Sequence, residues 1–170
     1  LGNSIEQRPK EVENRKVPLH WEGDLVKGVR RKNQPALMTL TERTTRFEVV
    51  IKIPDYRAST CQRLLQKEID RHPNWFKSIT FDCGKEFSNW KAMGNQNDID
   101  IYFADPGTPS QRALNEHSNG LLRRDGLVKA MDFNEVSESF IQAVASKRNH
   151  IPRKSLKYQT PMEIFLRNIK

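Results

Sequence analysis

Three carboxylates carry the chemical interest of this chain. Asp82 follows Ile79, Thr80 and Phe81, a short β-rich run with Gly84 two residues beyond the acid. It is therefore expected at the C-terminal edge of a strand, where open sheets place their chemistry. Glu116 falls in the first turns of a predicted helix: Pro106 and Pro109 break the preceding segment, and Ser110 is a credible N-cap for residues 111–124. Asp24 joins them from a third segment, in which Leu19, Trp21, Gly23 and Leu25 alternate with His20, Glu22 and Asp24. That period of two marks a strand with unlike faces and points Asp24 away from Trp21. Three carboxylates brought together repel one another unless a cation sits between them, and hard oxygen ligands with room for water select Mg²⁺ or Mn²⁺. Two such ions, about 3.5–4 Å apart, would activate an attacking oxygen and steady a leaving one in an in-line displacement at phosphorus.

The elements that must position these acids can be read in order. Residues 1–17 are polar and charged and are expected to form an extended arm without a packed face, leaving 18–170 as one domain with C-terminal helices. Strands are predicted over 18–26, 36–43 and 47–53, three in antiparallel series, with a turn at Gly28 to Pro35. Pro54 ends that sheet, and Cys61, Leu64, Leu65, Glu68 and Ile69 then recur at helical spacing within 59–72. A fourth strand at 78–82, a short polar helix at 86–97 and a fifth strand carrying Ile99, Ile101 and Phe103 follow. After the Glu116 helix, Asp132 and Glu135 are spaced as a capping box ahead of Val136, Phe140, Ala143 and Val144, a helix reaching about Arg148. Thr160, Pro161 and Glu163 repeat the start signal for a last short helix with Ile164 and Phe165. This order is that of an α/β, RNase H-like domain, a mixed five-stranded sheet (three antiparallel strands, then parallel ones) flanked by helices. In that fold the first strand is central and the fourth is its neighbour, so Asp24 and Asp82 would stand side by side; the fold, and not the spacing, implies it.

Charge narrows the partner. Twenty-nine Lys and Arg against twenty-one Asp and Glu give +8, and cations crowd two stretches, Lys27 to Lys32 and Lys147 to Lys157. Patches of this kind suit a polyanion, although a merely solvated basic surface explains the charge alone equally well. Cys61 and Cys83 form no CxxC and no cluster with His, so neither a disulfide scaffold nor a zinc site is indicated. No run approaches membrane-spanning length and the first residues lack a signal-peptide core, so a reducing, cytosolic setting is expected.

Several ordered words resemble the catalytic domain of IS30-family bacterial transposases, a branch of the DDE transposases and integrases. They are His20-Trp21-Glu22-Gly23-Asp24; Thr80-Phe81-Asp82-Cys83-Gly84-Lys85-Glu86-Phe87; Asp105-Pro106 with Gln111-Arg112; Asn115-Glu116-His117-Ser118-Asn119-Gly120-Leu121; and residues 149–156 leading into Thr160-Pro161. Thirty-three residues lie between Asp82 and Glu116 (116 − 82 − 1), the interval of the family's triad. The resemblance implies that Asp24, Asp82 and Glu116 bind two Mg²⁺ or Mn²⁺ ions. It implies nicking at transposon ends and attack of the freed 3′-OH on another DNA phosphodiester, by a homo-oligomer assembled on DNA in the bacterial cytoplasm, associated with the nucleoid. It further suggests Arg123 as a DNA contact, on one helix face with Glu116, Asn119 and Gly120. Arg112, Asn119, Lys129, Arg153 and Lys154 complete the expected DNA-binding set. Relatives of full length carry an N-terminal helix-turn-helix, which nothing before Trp21 could house, so the chain is expected to be a fragment. An aromatic-Pro-Lys-Gly word of many relatives is replaced by Gly126-Leu127-Val128-Lys129-Ala130.

Taken singly, these residues have plainer readings. A lone Asp at a strand end is usually a turn or cap residue, Glu22 and Glu86 read as supporting or surface acids, and His117 faces away from Glu116 by about 100° of helix. Trp21 is assigned to the core, while Trp75 and Trp90 could pack or stack on bases. The rival functions are an RNase H-like nuclease without strand transfer and a truncated, non-catalytic DNA-binding or assembly fragment; a glycosidase would use one acid pair and leave the third unexplained.

Overall fold

A computed structural model describes residues 3–4, 8–10, 15–28, 34–81, 94, 97–104 and 131–169. The strands are β1 (Asn3–Ser4), β2 (His20–Lys27), β3 (Ala36–Glu42), β4 (Glu48–Ile53), β5 (Ser78–Phe81) and β6 (Asp100–Phe103); the helices are α1 (Ala58–Arg71), α2 (Glu138–Asn149) and α3 (Pro161–Asn168). The sheet order is β1-β6-β5-β2-β3-β4. β2, β3 and β4 pair antiparallel, and β5 and β6 join parallel to β2. The five expected strands thus occur in the expected order, with β2 central and β5 beside it. The arm differs from expectation at one point: Asn3 and Ser4 pair parallel with Tyr102 and Phe103 and extend the sheet by a short strand.

Alternation along the strands sorts side chains to two faces. On one, Trp21, Met38, Leu40, Phe47, Ile79, Phe81, Ile101 and Phe103 pack against Cys61, Leu65 and Ile69 of α1 and Phe165 of α3. Those three α1 residues recur every fourth position, the stripe a helix needs to cover a sheet. Phe165 stacks on Phe47 with ring centroids 4.1 Å apart and meets Trp21 edge-on at 5.7 Å. On the other face Val26, Leu37 and Val50 pack against Phe133 and against Ile141, Val144 and Ala145 of α2.

The start of α2 departs from the sequence expectation. Asp132 accepts from the Asn134 N–H and caps only a short 3₁₀ turn over Phe133–Glu135; the α-helix begins at Glu138, with Ser137 accepting from the Phe140 N–H. The buried stripe is therefore Ile141, Val144, Ala145 and Arg148, and Phe140, expected on the apolar face, lies 44% exposed. At α3 the expectation holds: Thr160 accepts from the Glu163 N–H and Pro161 opens the first turn.

β4 is the outer strand, and α2 supplies what a further strand would. The Asn149 side chain accepts from the Glu48 N–H and donates to the Glu48 carbonyl, both at 2.8 Å, and Gln142 donates to the Val50 carbonyl at 2.8 Å. Arg148 Nε meets Glu48 Oε2 at 3.2 Å, with both side chains buried. A row of open backbone groups that could recruit another strand is in this way partly closed.

Candidate active site

Asp24 lies on β2 opposite Thr39 of β3, on the face turned away from Trp21, as the alternation predicts. Its carboxylate is half-buried, and Oδ1 accepts the Leu25 N–H at 2.8 Å, which fixes its rotation. Two residues earlier, Glu22 points to the same face but is buried and salt-bridged to buried Arg43. Its charge is thereby answered by Arg43, and Asp24 differs from it in being half-buried. His20 opens the strand, its Nδ1 2.6 Å from Ser78 Oγ across the β2–β5 pair. Arg8 reaches in from the arm, Nη1 donating to Thr80 Oγ1 at 3.5 Å.

The glycine between Glu22 and Asp24 sets how β5 lies against β2. A Cβ on Gly23 would stand 2.3 Å from Phe81 Cε1, so the absence of a side chain lets the Phe81 ring cross the strand. The register is His20 to Ser78, Trp21 to Ile79 and Glu22 to Thr80.

Asp82 and Glu116 lie outside the described residues, as do Arg112, Asn119, Arg123 and Lys129 of the expected DNA-binding set and Glu86, Trp90 and His117. Among the described residues no group of three or more His, Cys, Asp or Glu side chains converges. Of the two expected DNA contacts that are described, Lys154 is exposed, but Arg153 is engaged with the main chain at the end of α2, donating to the Arg148 carbonyl at 2.8 Å and the Ile151 carbonyl at 3.2 Å. Trp21 is wholly buried, and the half-buried Trp75 stacks on His72 with centroids 3.5 Å apart. Arg43 was legible only as a strand's last residue. Its cue is the hairpin register: Glu22 faces Thr41, so Arg43 is the diagonal neighbour on the same face.

Among the described residues no helix is long and apolar enough to cross a membrane. The integrase core domain family matches residues 14–109. The transposase for insertion sequence element IS1086 of Cupriavidus metallidurans is 35% identical over 95% of this chain and 47% of its own length. Transposase InsI for insertion sequence element IS30A of Escherichia coli is 32% identical over 99% of this chain and 43% of its own. The chain thus spans a little under half the length of these curated relatives. The catalytic core domain of BIV integrase superposes with a TM-score of 0.66 at 16% identity, covering 88% of this chain and 94% of that one, which places the fold as RNase H-like. With strand order and register in agreement, the chain belongs to the integrase core domain family, and it is similar in sequence to transposases of IS30-type insertion sequences.

Proposed function

We propose that these residues form the catalytic core of a DDE transposase, which nicks transposon ends and joins the freed 3′-OH to a second DNA phosphodiester. The observation that carries the reading is the β2–β5 register, Glu22 to Thr80. Were that pairing continued two residues, position 82 would come level with Asp24, so two carboxylates would flank one site, with Glu116 as the third. The Asp24 donor set suits a hard divalent ion, because its oxygens are half-exposed while the neighbouring Glu22 is already neutralised by Arg43. Two Mg²⁺ or Mn²⁺ ions held by Asp24, Asp82 and Glu116 would supply Lewis acidity to the attacking and leaving oxygens.

The chain's own residues do the rest. The Leu25 N–H holds Asp24 in one rotamer, and Gly23 beneath Phe81 keeps the two strands in step. In nicking, water forms the new P–O bond and the 3′-oxygen leaves; in joining, that 3′-oxygen forms the new P–O bond and loses its proton as a strand of the recipient departs. Arg112, Asn119, Arg123, Lys129 and Lys154 would contact DNA, with Arg153 shaping the loop before Lys154. The same proposal includes work in the bacterial cytoplasm on nucleoid DNA, by a homo-oligomer assembled on the ends.

The test is nicking and joining of an end-bearing duplex with Mn²⁺. Asp24→Asn and Asp82→Asn should each abolish both reactions and leave salt-sensitive DNA binding intact. Retained Mn²⁺-dependent cleavage by Asp24→Asn overturns the site. Nicking without joining of a pre-cut 3′-OH end would instead assign a nuclease.

A further inference from the structure

Opposite the Asp24 face, α1 presents a basic ladder that the catalytic reading does not use. Its inward stripe is Cys61, Leu65 and Ile69. Its outward stripe is Arg63, Lys67 and Arg71, all exposed. Spaced four residues apart, these cations lie roughly 6 Å from one another along the axis, about 12 Å from first to last, and drift by only about 40° per step. Together with Gln66 and Asp70 they line one shallow depression that contains no apolar side chain.

Two acids nearby lower the ladder's net charge without pairing closely with it. Asp70 accepts from Gln66 at 2.8 Å, and Gln66 is held in turn by Asn97 at 2.8 Å, so that carboxylate is drawn towards the Gln66 side. Glu68 stands 3.9 Å from Arg71 and 3.6 Å from His72, separations at which a partly exposed pair contributes little. Lys67 and Arg71 also border a cleft of about 530 Å³ between α1, β4 and α2, whose lining is mixed and includes Glu68 and Glu138, so the basic ladder is confined to the helix.

We infer that this face is a second nucleic-acid surface, gripping the phosphate backbone of duplex DNA that flanks the reacting site; the inference rests on the transposase reading above. Its chemistry favours that partner. An evenly spaced row of cations matches a linear polyanion, while the depression is lined by no aromatic or aliphatic residue, its apolar surface coming only from the stems of charged and amide side chains. Placement adds to this. α1 covers the Trp21 side of the sheet and Asp24 projects from the other, so DNA held here is a flanking stretch and not the phosphodiester under attack. Reading is by phosphate alone, hence independent of sequence.

The experiment measures duplex binding by the whole chain in EDTA across a salt series, which removes catalysis from the readout. The probe is a duplex of random sequence. Arg63→Gln, Lys67→Gln and Arg71→Gln are combined and compared with a charge-matched control at exposed Lys16, Lys77 and Arg167, also changed to Gln, which avoids the basic stretch ending at Lys157. The expected result is a slope of log K against log salt lowered by about 2 to 3 in the α1 variant, at about 0.9 for each phosphate no longer neutralised, and little changed in the control. Circular dichroism confirms that each variant is folded. Equal slopes in the two variants overturn the ladder and leave the catalytic reading standing, whether or not the α1 variant has lost binding to polyglutamate, the readout for an acidic protein on the same face. Failure of the unaltered chain to bind duplex at all overturns both.

Discussion

Glu22 and Asp24 sit two positions apart on one face of one strand, and their surroundings give them different work. Arg43 answers Glu22 in a buried pair, so the carboxylate is structural, while Asp24 keeps a half-exposed edge. Removing one partner of such a pair leaves a buried charge without this counterion, which typically costs about 3–5 kcal/mol, whereas replacing both with apolar groups is often neutral. Arg43→Leu should therefore lower the denaturation midpoint sharply, and adding Glu22→Leu should restore most of the loss; a double variant as unstable as the single one would contradict this account. A second residue-scale prediction concerns His72. Burial against Trp75 lowers its pKa below the ordinary value of about 6.5, Glu68 pulls the other way, and Arg71 adds to the fall. Because the folded value is the lower one, the unfolded chain takes up the proton first as pH drops. The contribution is full above about 6.5 and is lost as pH falls from there through the lowered folded value. His72→Gln should flatten that part of the curve of Tm against pH, and the His72 imidazole signal in NMR should titrate below that of a denatured reference.

At the scale of elements, the end of α2 is fastened to the outer strand by one short segment, Arg148 with Asn149, gripping Glu48 by side chain and by backbone. An unpaired buried peptide group costs about 1–3 kcal/mol, so Asn149→Leu, which orphans a donor and an acceptor together, should destabilise by roughly 2–4 kcal/mol in urea unfolding. Asn149→Asp keeps the acceptor for the Glu48 N–H but sets an anionic oxygen against the Glu48 carbonyl, so part of its loss should be recovered below about pH 4, where the carboxyl protonates. This pairing explains a word that the sequence displayed without its reason. Asn149 opens a family-like run that suggested function, yet its side chain stands in for a missing strand. The strands and α1 were readable because alternation and four-residue recurrence are local, whereas the order of the strands in the sheet followed from the fold they spell out. The start of α2 was misread because Asp132 and Glu135 satisfy a capping box in spacing, while the backbone closes only a 3₁₀ turn and Ser137 takes over as cap. That shift of start carries Phe140 from the expected interior to solvent. The pairing of Arg43 with Glu22 depends on a hairpin register, and the docking of Asn149 spans a hundred residues; neither leaves a local pattern.

At the scale of the whole molecule, a chain of +8 that is proposed to gather three carboxylates holds a cost in reserve. Before a cation binds, like charges at one sheet edge oppose folding, and the sheet must hold them together against that repulsion. Asp24→Asn is the cleanest probe, because asparagine keeps an oxygen to accept the Leu25 N–H and removes only charge. In EDTA the variant should melt at or above the temperature of the unaltered chain, the mark of a site held for function at the expense of stability. Divalent ions should reverse the order. A ligand present at a hundred times its Kd stabilises by about 2.7 kcal/mol, which for a domain of this size is roughly 5–10 °C in Tm. Saturating Mn²⁺ should give the unaltered chain a rise of that order and Asp24→Asn little, while the α1 ladder variant, whose changes lie on the opposite face, should respond as the unaltered chain does. Equal Mn²⁺ responses in the unaltered chain and Asp24→Asn would show that Asp24 is no ligand, and the proposed carboxylate site would lose its first member.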